Sequence, residues 1–205
     1  MAKISRLKHQ IMGVGRKLYA LRLVTGRAGN LSARLDKNTF LITTTGACLG
    51  KLKPKNIVKV HLSEKIKFRA SSELPLHRLI YKNFPTQVVI HCHPPLTNVY
   101  FVLYDDLMAL TYETKFYLKT LPVVEQGTLT ITQPELVIKA LKESSLVVVK
   151  NHGVVSVGKD FKEALYPIEI LEEAVRMFAL AKLFKRKNLA KLNKALKKSL
   201  IYSIK

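Results

Sequence analysis

The segment QVVIHCHPPL, residues 87–96, sets two imidazoles one residue apart at the end of an apolar run that two prolines close. In an extended strand successive side chains face opposite ways, so His91 and His93 share a face and Cys92 takes the other. Two imidazoles on one face, where the chain leaves a sheet, can reach a single ion. A catalytic zinc site ordinarily takes three protein ligands and leaves one position open. The third must come from elsewhere. His9 and His61 lie among polar residues, and His77 falls on a helix. His152, in VVVKNHGVV, occupies a turn between two apolar strands and is followed by Gly153, which makes it the best third ligand. The same residues also read as a polar pair at a sheet rim and an ordinary turn histidine, and spacing leaves both readings open.

The elements that must position these residues alternate between helical and extended periods. Ile4, Leu7, Ile11, Leu18 and Leu21 predict an amphipathic helix over 3–23. Strands are expected at NLSAR (30–34), TFLIT (39–43) and NIVKV (56–60). SSELPLHRLIYKNF predicts a helix with Ser71 and Ser72 as cap candidates and Pro75 in its first turn. The histidine strand follows, and a short helix runs towards Tyr104. In the second half LPVV, SLVVV and GVVSVG read as strands. Thr132 with Glu135, and Asp160 with Glu163, read as capping boxes that open two helices, one through Lys142 and one towards Phe184. Pro167 falls early in the second of these and can bend it. Leu189, Leu192, Leu196 and Leu200 predict a last, basic amphipathic helix. No repeat or linker breaks the pattern. The expectation is one α/β domain over residues 1–205, with a basic helical tail from about residue 188.

Composition bounds the function. The chain has 205 residues, enough for one well-filled core. It carries 35 Lys and Arg against 14 Asp and Glu, and no acidic residue occurs in 1–35 or 174–205. Basic ends of this kind suit polyanions. There is, however, no zinc-finger spacing, no aromatic RNA-binding strand motif and no Gly-rich nucleic-acid loop, so the lysines read as a solvated face and nucleic acid is not the expected partner. No apolar run approaches the roughly 20 residues of a membrane span. MAKISRLKHQ is not followed by the apolar core of a signal peptide. Two cysteines, Cys48 and Cys92, make no disulfide framework, so a reduced, cytoplasmic protein is expected.

Five segments in order, AGNLSAR, LITTTGACLGKL, SSELPLHRLIYKNFP, VVIHCHPP and VVVKNHGVVSVGKDFKEAL, resemble the class II aldolase/adducin family and together span most of residues 1–185. The family includes L-fuculose-phosphate aldolases and L-ribulose-5-phosphate 4-epimerases. The resemblance implies a three-layer α/β/α sandwich, commonly a homotetramer with active sites near subunit interfaces. It also implies a zinc ion on His91, His93 and His152, with Glu73 able to reach it. By the same resemblance Gly29, Asn30, Thr45, Gly46, Ser71 and Ser72 form a pocket for the substrate's phosphate. Glycines admit an anion close to the backbone, and a helix N-terminus offers free N–H groups, which agrees with that assignment.

Glu73 after the serine pair matches the family's aldolases, whereas its epimerases usually carry aspartate there. The activity implied is cleavage of a ketose 1-phosphate to dihydroxyacetone phosphate and an aldehyde, through an enediolate stabilised by the metal. Glu73 is then the general acid/base, and Tyr112, in LTYET, serves the aldehyde oxygen, often from a neighbouring subunit. Arg27 departs from the pattern, since a small hydroxyl residue commonly precedes the AGN unit. The other activities the resemblance admits are a 4-epimerase, a methylthioribulose-1-phosphate dehydratase, a decarboxylase and a non-catalytic adducin-like binding module.

Overall fold

The computed structural model describes residues 2–64, 69–126 and 128–184. Seven strands form one sheet: β1 (Asn30–Arg34), β2 (Thr39–Thr43), β3 (Ile57–His61), β4 (Val88–Cys92), β5 (Val123–Glu125), β6 (Leu146–Lys150) and β7 (Gly153–Gly158). Their spatial order is β3-β2-β1-β4-β7-β6-β5, and every pairing is antiparallel except β5 with β6. Among the described residues six α-helices accompany the sheet: α1 (Ala2–Ala20), α2 (Leu74–Asn83), α3 (Pro95–Leu103), α4 (Tyr112–Tyr117), α5 (Pro134–Ala140) and α6 (Phe161–Leu183).

The pleat sorts the strand residues onto two faces. Leu31, Ala33, Val88, Ile90, Cys92 and Val154 join one core with residues of α1, α3 and α6. Val89, Val147, Val149, Val155 and Val157 join the other with α2 and α5. Helices on both faces of an α/β sheet give the three-layer arrangement expected from the sequence. Each large apolar side chain removed from water contributes ~1.5–3 kcal/mol, and both central strands are buried along their whole length. Cys92 lies in the core away from α2, as the pleat requires, and burial raises its thiol well above the ordinary range.

Local signals succeed where nothing distant competes. Asp160 caps α6, its Oδ1 accepting from Lys162 N and Glu163 N, while Glu163 reaches back to Lys159 N. Thr132 does not cap α5. Gln133 occupies that position without a side-chain bond, while the Thr132 hydroxyl lies 3.2 Å from Thr128 Oγ1 and the Gln126 amide closes the preceding loop, accepting from Thr132 N and donating to Gln133 O. Ser71 and Ser72 likewise leave α2 uncapped. Glu73 is its N-cap residue, and Ser71 Oγ, two residues before it, accepts from Glu73 N at 3.2 Å rather than from an amide of the helix. The first helix stops at Ala20, and Leu21 is half exposed beyond it. Helix α4, unheralded by strong periodicity, is capped by Thr111, which accepts from Thr114 N. The leucine-rich tail expected beyond residue 188 lies outside the described residues.

Candidate active site

Antiparallel pairing brings two chemistries side by side. Asn30 of β1 is the register partner of His91 of β4, and directly opposite residues in an antiparallel pair point to the same face. Strand β7 pairs along the other edge of β4, so the β6–β7 turn carries His152 to the same end of the sheet. Asn151 takes the left-handed conformation in this turn, with φ 60°. Gly153 follows for a steric reason: a Cβ there would lie 2.3 Å from Cys92 O and 2.7 Å from the His93 ring. The His-Gly pair is therefore a packing requirement of bringing the turn against the end of β4.

The three histidines converge. His91 is buried, and its Nδ1–H donates to Val154 O at 2.9 Å. That bond fixes the tautomer and leaves Nε2 with a lone pair. His93 Nε2 and His152 Nε2 each lie 3.0 Å from it. Ligand nitrogens about 2.0–2.1 Å from a tetrahedral zinc would stand roughly 3.3 Å apart, close to these separations. Three imidazole nitrogens sharing so small a volume fit a borderline-soft divalent ion. Burial and mutual proximity keep the rings neutral: His91 is held well below its ordinary range and His93 is lowered to about 4, chiefly by desolvation. No other group of three His, Cys, Asp or Glu among the described residues has this geometry.

A cleft of about 370 Å³ opens beside the cluster, lined by Arg27, Gly29, Asn30, Thr45, Gly46, Ser71, Ser72, Glu73, His91, His93 and His152. Every site residue expected from the sequence lines it except Tyr112. Gly29, with φ 79°, admits the chain here; a Cβ would stand 2.8 Å from His91 O. An isolated bridge between Thr44 and Ala70, with Ser71 N donating to Thr43 O, holds the loop after β2 against the segment before α2. That bridge aligns Thr45 and Gly46 with the serine pair. Arg27 lies on the rim, its side chain 3.9 Å from a Cβ built at Gly46.

Glu73 is the only carboxylate among the described residues of the cleft. It is buried, and burial raises its pKa despite the opposing bond from a backbone amide. Both oxygens accept from Ile131 N, at 3.1 and 3.3 Å, so the carboxylate is held by the loop before α5 rather than grouped with the histidines. Leu129 and Thr130 of that loop also line the cleft, a contribution the sequence reading missed. Tyr112, at the start of α4, is 52% exposed and lies outside this cleft.

The sequence profile of the Class II Aldolase and Adducin N-terminal domain matches residues 9–179. The chain belongs to this family. An L-fuculose phosphate aldolase of Methanocaldococcus jannaschii is 33% identical over 184 residues, covering 87% of this chain and 99% of that protein. A 3-oxo-tetronate 4-phosphate decarboxylase of Haemophilus influenzae is 30% identical, covering 83% of this chain and 86% of that one. The crystal structure of the L-fuculose-1-phosphate aldolase of Thermus thermophilus superposes with a TM-score of 0.80 at 28% identity, over 88% of this chain and 96% of that one. The seven-stranded sheet and its helices are thus the class II aldolase fold.

Proposed function

We propose that the chain is a zinc-dependent sugar-phosphate aldolase that reversibly cleaves a ketose 1-phosphate, of the L-fuculose 1-phosphate kind, to dihydroxyacetone phosphate and an aldehyde. The supporting observation is one of adjacency. A triad of imidazoles, an anion pocket and a single protonatable carboxylate share one cleft. A zinc ion on His91, His93 and His152, a donor set that suits it, would supply a Lewis acid for the charge that develops on the substrate's oxygens.

The protein groups do the rest. Asn30, Thr45, Gly46, Ser71 and Ser72 anchor the phosphate and so fix the reacting carbons relative to the histidines. As the C–C bond breaks, its electron pair remains on the ketose-derived fragment, which takes a proton at that carbon. Glu73, whose raised pKa lets it hold a proton nearer neutral pH, delivers and recovers it. No lysine among the described residues lines the cleft, so a Schiff-base route has no amine there. The departing aldehyde's hydroxyl proton is assigned to Tyr112 of a neighbouring copy in a homotetramer. Exposed apolar residues on α3 and α4, including Val99, Val102, Leu103 and Phe116, support such packing. No helix among the described residues is long and apolar enough to cross a membrane, and we assign the enzyme to the cytoplasm.

The test is an aldol assay with dihydroxyacetone phosphate and a panel of aldehydes, with and without a chelator, alongside metal analysis. Chelator-sensitive formation of a ketose 1-phosphate is expected. The same preparation is offered a phosphorylated 3-oxo acid, because a relative carries that decarboxylase name. Release of carbon dioxide without any aldol product would replace the aldolase reading.

A further inference from the structure

Beneath the anion pocket runs a line of buried polar groups. Tyr81 and His77 of α2 face Ser32 and Asn30 of β1. Tyr81 OH lies 2.8 Å from Ser32 Oγ, Ser32 Oγ lies 2.6 Å from His77 Nδ1, and His77 Nε2 lies 2.5 Å from Asn30 Oδ1. Ser32 and His77 are fully buried, and Tyr81 and Asn30 are 3% and 6% exposed. No described residue accepts from Asn30 Nδ2, and Asn30 lines the cleft.

The direction of these bonds is decided at the end farthest from the cleft. Burial keeps the Tyr81 phenol protonated. Its ring is enclosed by Phe40, with centroids 4.8 Å apart, and by the Arg34 guanidinium 4.7 Å over the centroid. Ser32 Oγ is the one acceptor that the Tyr81 O–H meets among the described residues. If the chain ran the other way, Ser32 would donate to Tyr81 and leave a buried phenol O–H without an acceptor, a loss of about 1–3 kcal/mol. So Tyr81 donates to Ser32, Ser32 donates to His77 Nδ1, and His77 must carry its proton on Nε2. That proton goes to Asn30 Oδ1. Burial, which lowers His77 to about 3, keeps the ring in this neutral form.

We propose that His77 is a positioning residue for substrate: it fixes the Asn30 amide so that its NH2, and not its oxygen, faces the anion pocket. An asparagine amide free to turn over would present a carbonyl oxygen to a phosphate in part of the population. The buried chain removes that alternative without placing any charge in the pocket. The inference rests on reading this cleft as the phosphate site.

The experiment titrates inorganic phosphate by 31P NMR into the wild-type protein and four variants, Asn30→Ala, His77→Gln, His77→Leu and Tyr81→Phe, with zinc content and thermal melts measured on each. Gln can place an N–H where His77 Nε2 stands; Leu cannot. The expected result is phosphate binding weakened about tenfold in Asn30→Ala and His77→Leu, and within about threefold of wild type in His77→Gln, at unchanged zinc content. Tyr81→Phe removes the group that sets the direction, and a loss of about twofold follows if both directions become equally populated. A residue that merely fills the interior would favour Leu over Gln, so a Leu variant that binds phosphate as well as or better than the Gln variant overturns the proposal. If the Leu variant does not fold, unchanged affinity in Tyr81→Phe overturns it instead. Failure of the pocket assignment looks different: phosphate then does not bind the wild-type protein, or binds Asn30→Ala equally well.

Discussion

His77 and His91 are both fully buried histidines on the α2 side of the sheet, and both are driven to the neutral form by loss of water. They differ in what meets the second ring nitrogen. His77 has a protein partner on each side, Ser32 on Nδ1 and Asn30 on Nε2. His91 has one, the Val154 carbonyl on Nδ1, while its Nε2 faces two more imidazole nitrogens. The first ring is complete within the fold. The second belongs to a set of lone pairs that only a proton or a cation reconciles. Burial does not separate the two roles; the partners do.

The sharpest way to break this contrast is to remove each ring. His91→Ala should lose the bound metal and with it essentially all turnover, a larger effect than the roughly 10–100-fold of losing an outer-shell partner. His77→Gln should keep a full complement of metal. Metal analysis and turnover on the same preparations check both, and a His91→Ala protein with stoichiometric zinc would erase the distinction.

Next in size is Glu73, a buried carboxylate that lines the same cleft as His91. Glu73→Gln should lower kcat by about 10²–10⁴ while leaving the metal in place, as expected of a proton carrier. Parallel loss of metal and activity would move Glu73 into the group with His91.

The third effect is on stability. His77 has a folded pKa of about 3 against an ordinary 6.5, so between those values the unfolded chain binds a proton that the folded chain refuses. Its contribution to stability is therefore complete above about pH 6.5 and lost as pH falls towards 3. From pH 7 to pH 5 the difference is about 2 kcal/mol. Urea unfolding at both pH values should show wild-type stability falling more steeply than that of His77→Gln, by about that amount. Equal slopes would mean that the His77 ring is protonated in the folded protein.

The smallest effect concerns Arg27, an exposed cation on the rim rather than a member of either buried set. Arg27→Thr should raise KM for a phosphorylated substrate about threefold to fivefold at low salt, with kcat unchanged, because an exposed charge is weakly coupled. Raising ionic strength should shrink the difference. A salt-independent effect would show that the guanidinium binds substrate out of reach of solvent.

Much of this was legible in the order of residues. A strict period of two places His91 and His93 on one face and Cys92 on the other, whatever the rest of the chain does. The proposed phosphate pocket came from the family resemblance; glycines next to Asn30 and Thr45, and serines before an apolar helical stripe, agree with it but read equally as turn and capping residues. Asp160 capped its helix because its partners are the next two or three amides along the chain. Thr132 did not act as a cap: its hydroxyl lies 3.2 Å from Thr128 Oγ1 and its amide donates to Gln126 Oε1, contacts that depend on how a loop folds back. The same holds for Glu73, whose bond partner is 58 residues away, and for Tyr112, which α4 carries outside the cleft.

The sequence by itself determined which residues share a strand face, where helices begin when the cap is adjacent, and that three imidazoles and a carboxylate were available. These follow from backbone periodicity and near-neighbour bonds. Only the tertiary structure decided that Asn30 stands opposite His91, that the β6–β7 turn completes the triad, and that His77, which looked like one more helical residue, is tied through Ser32 to Tyr81. A side chain's tautomer and the free end of an amide are set by groups distant in sequence, so no spacing along the chain could have shown them.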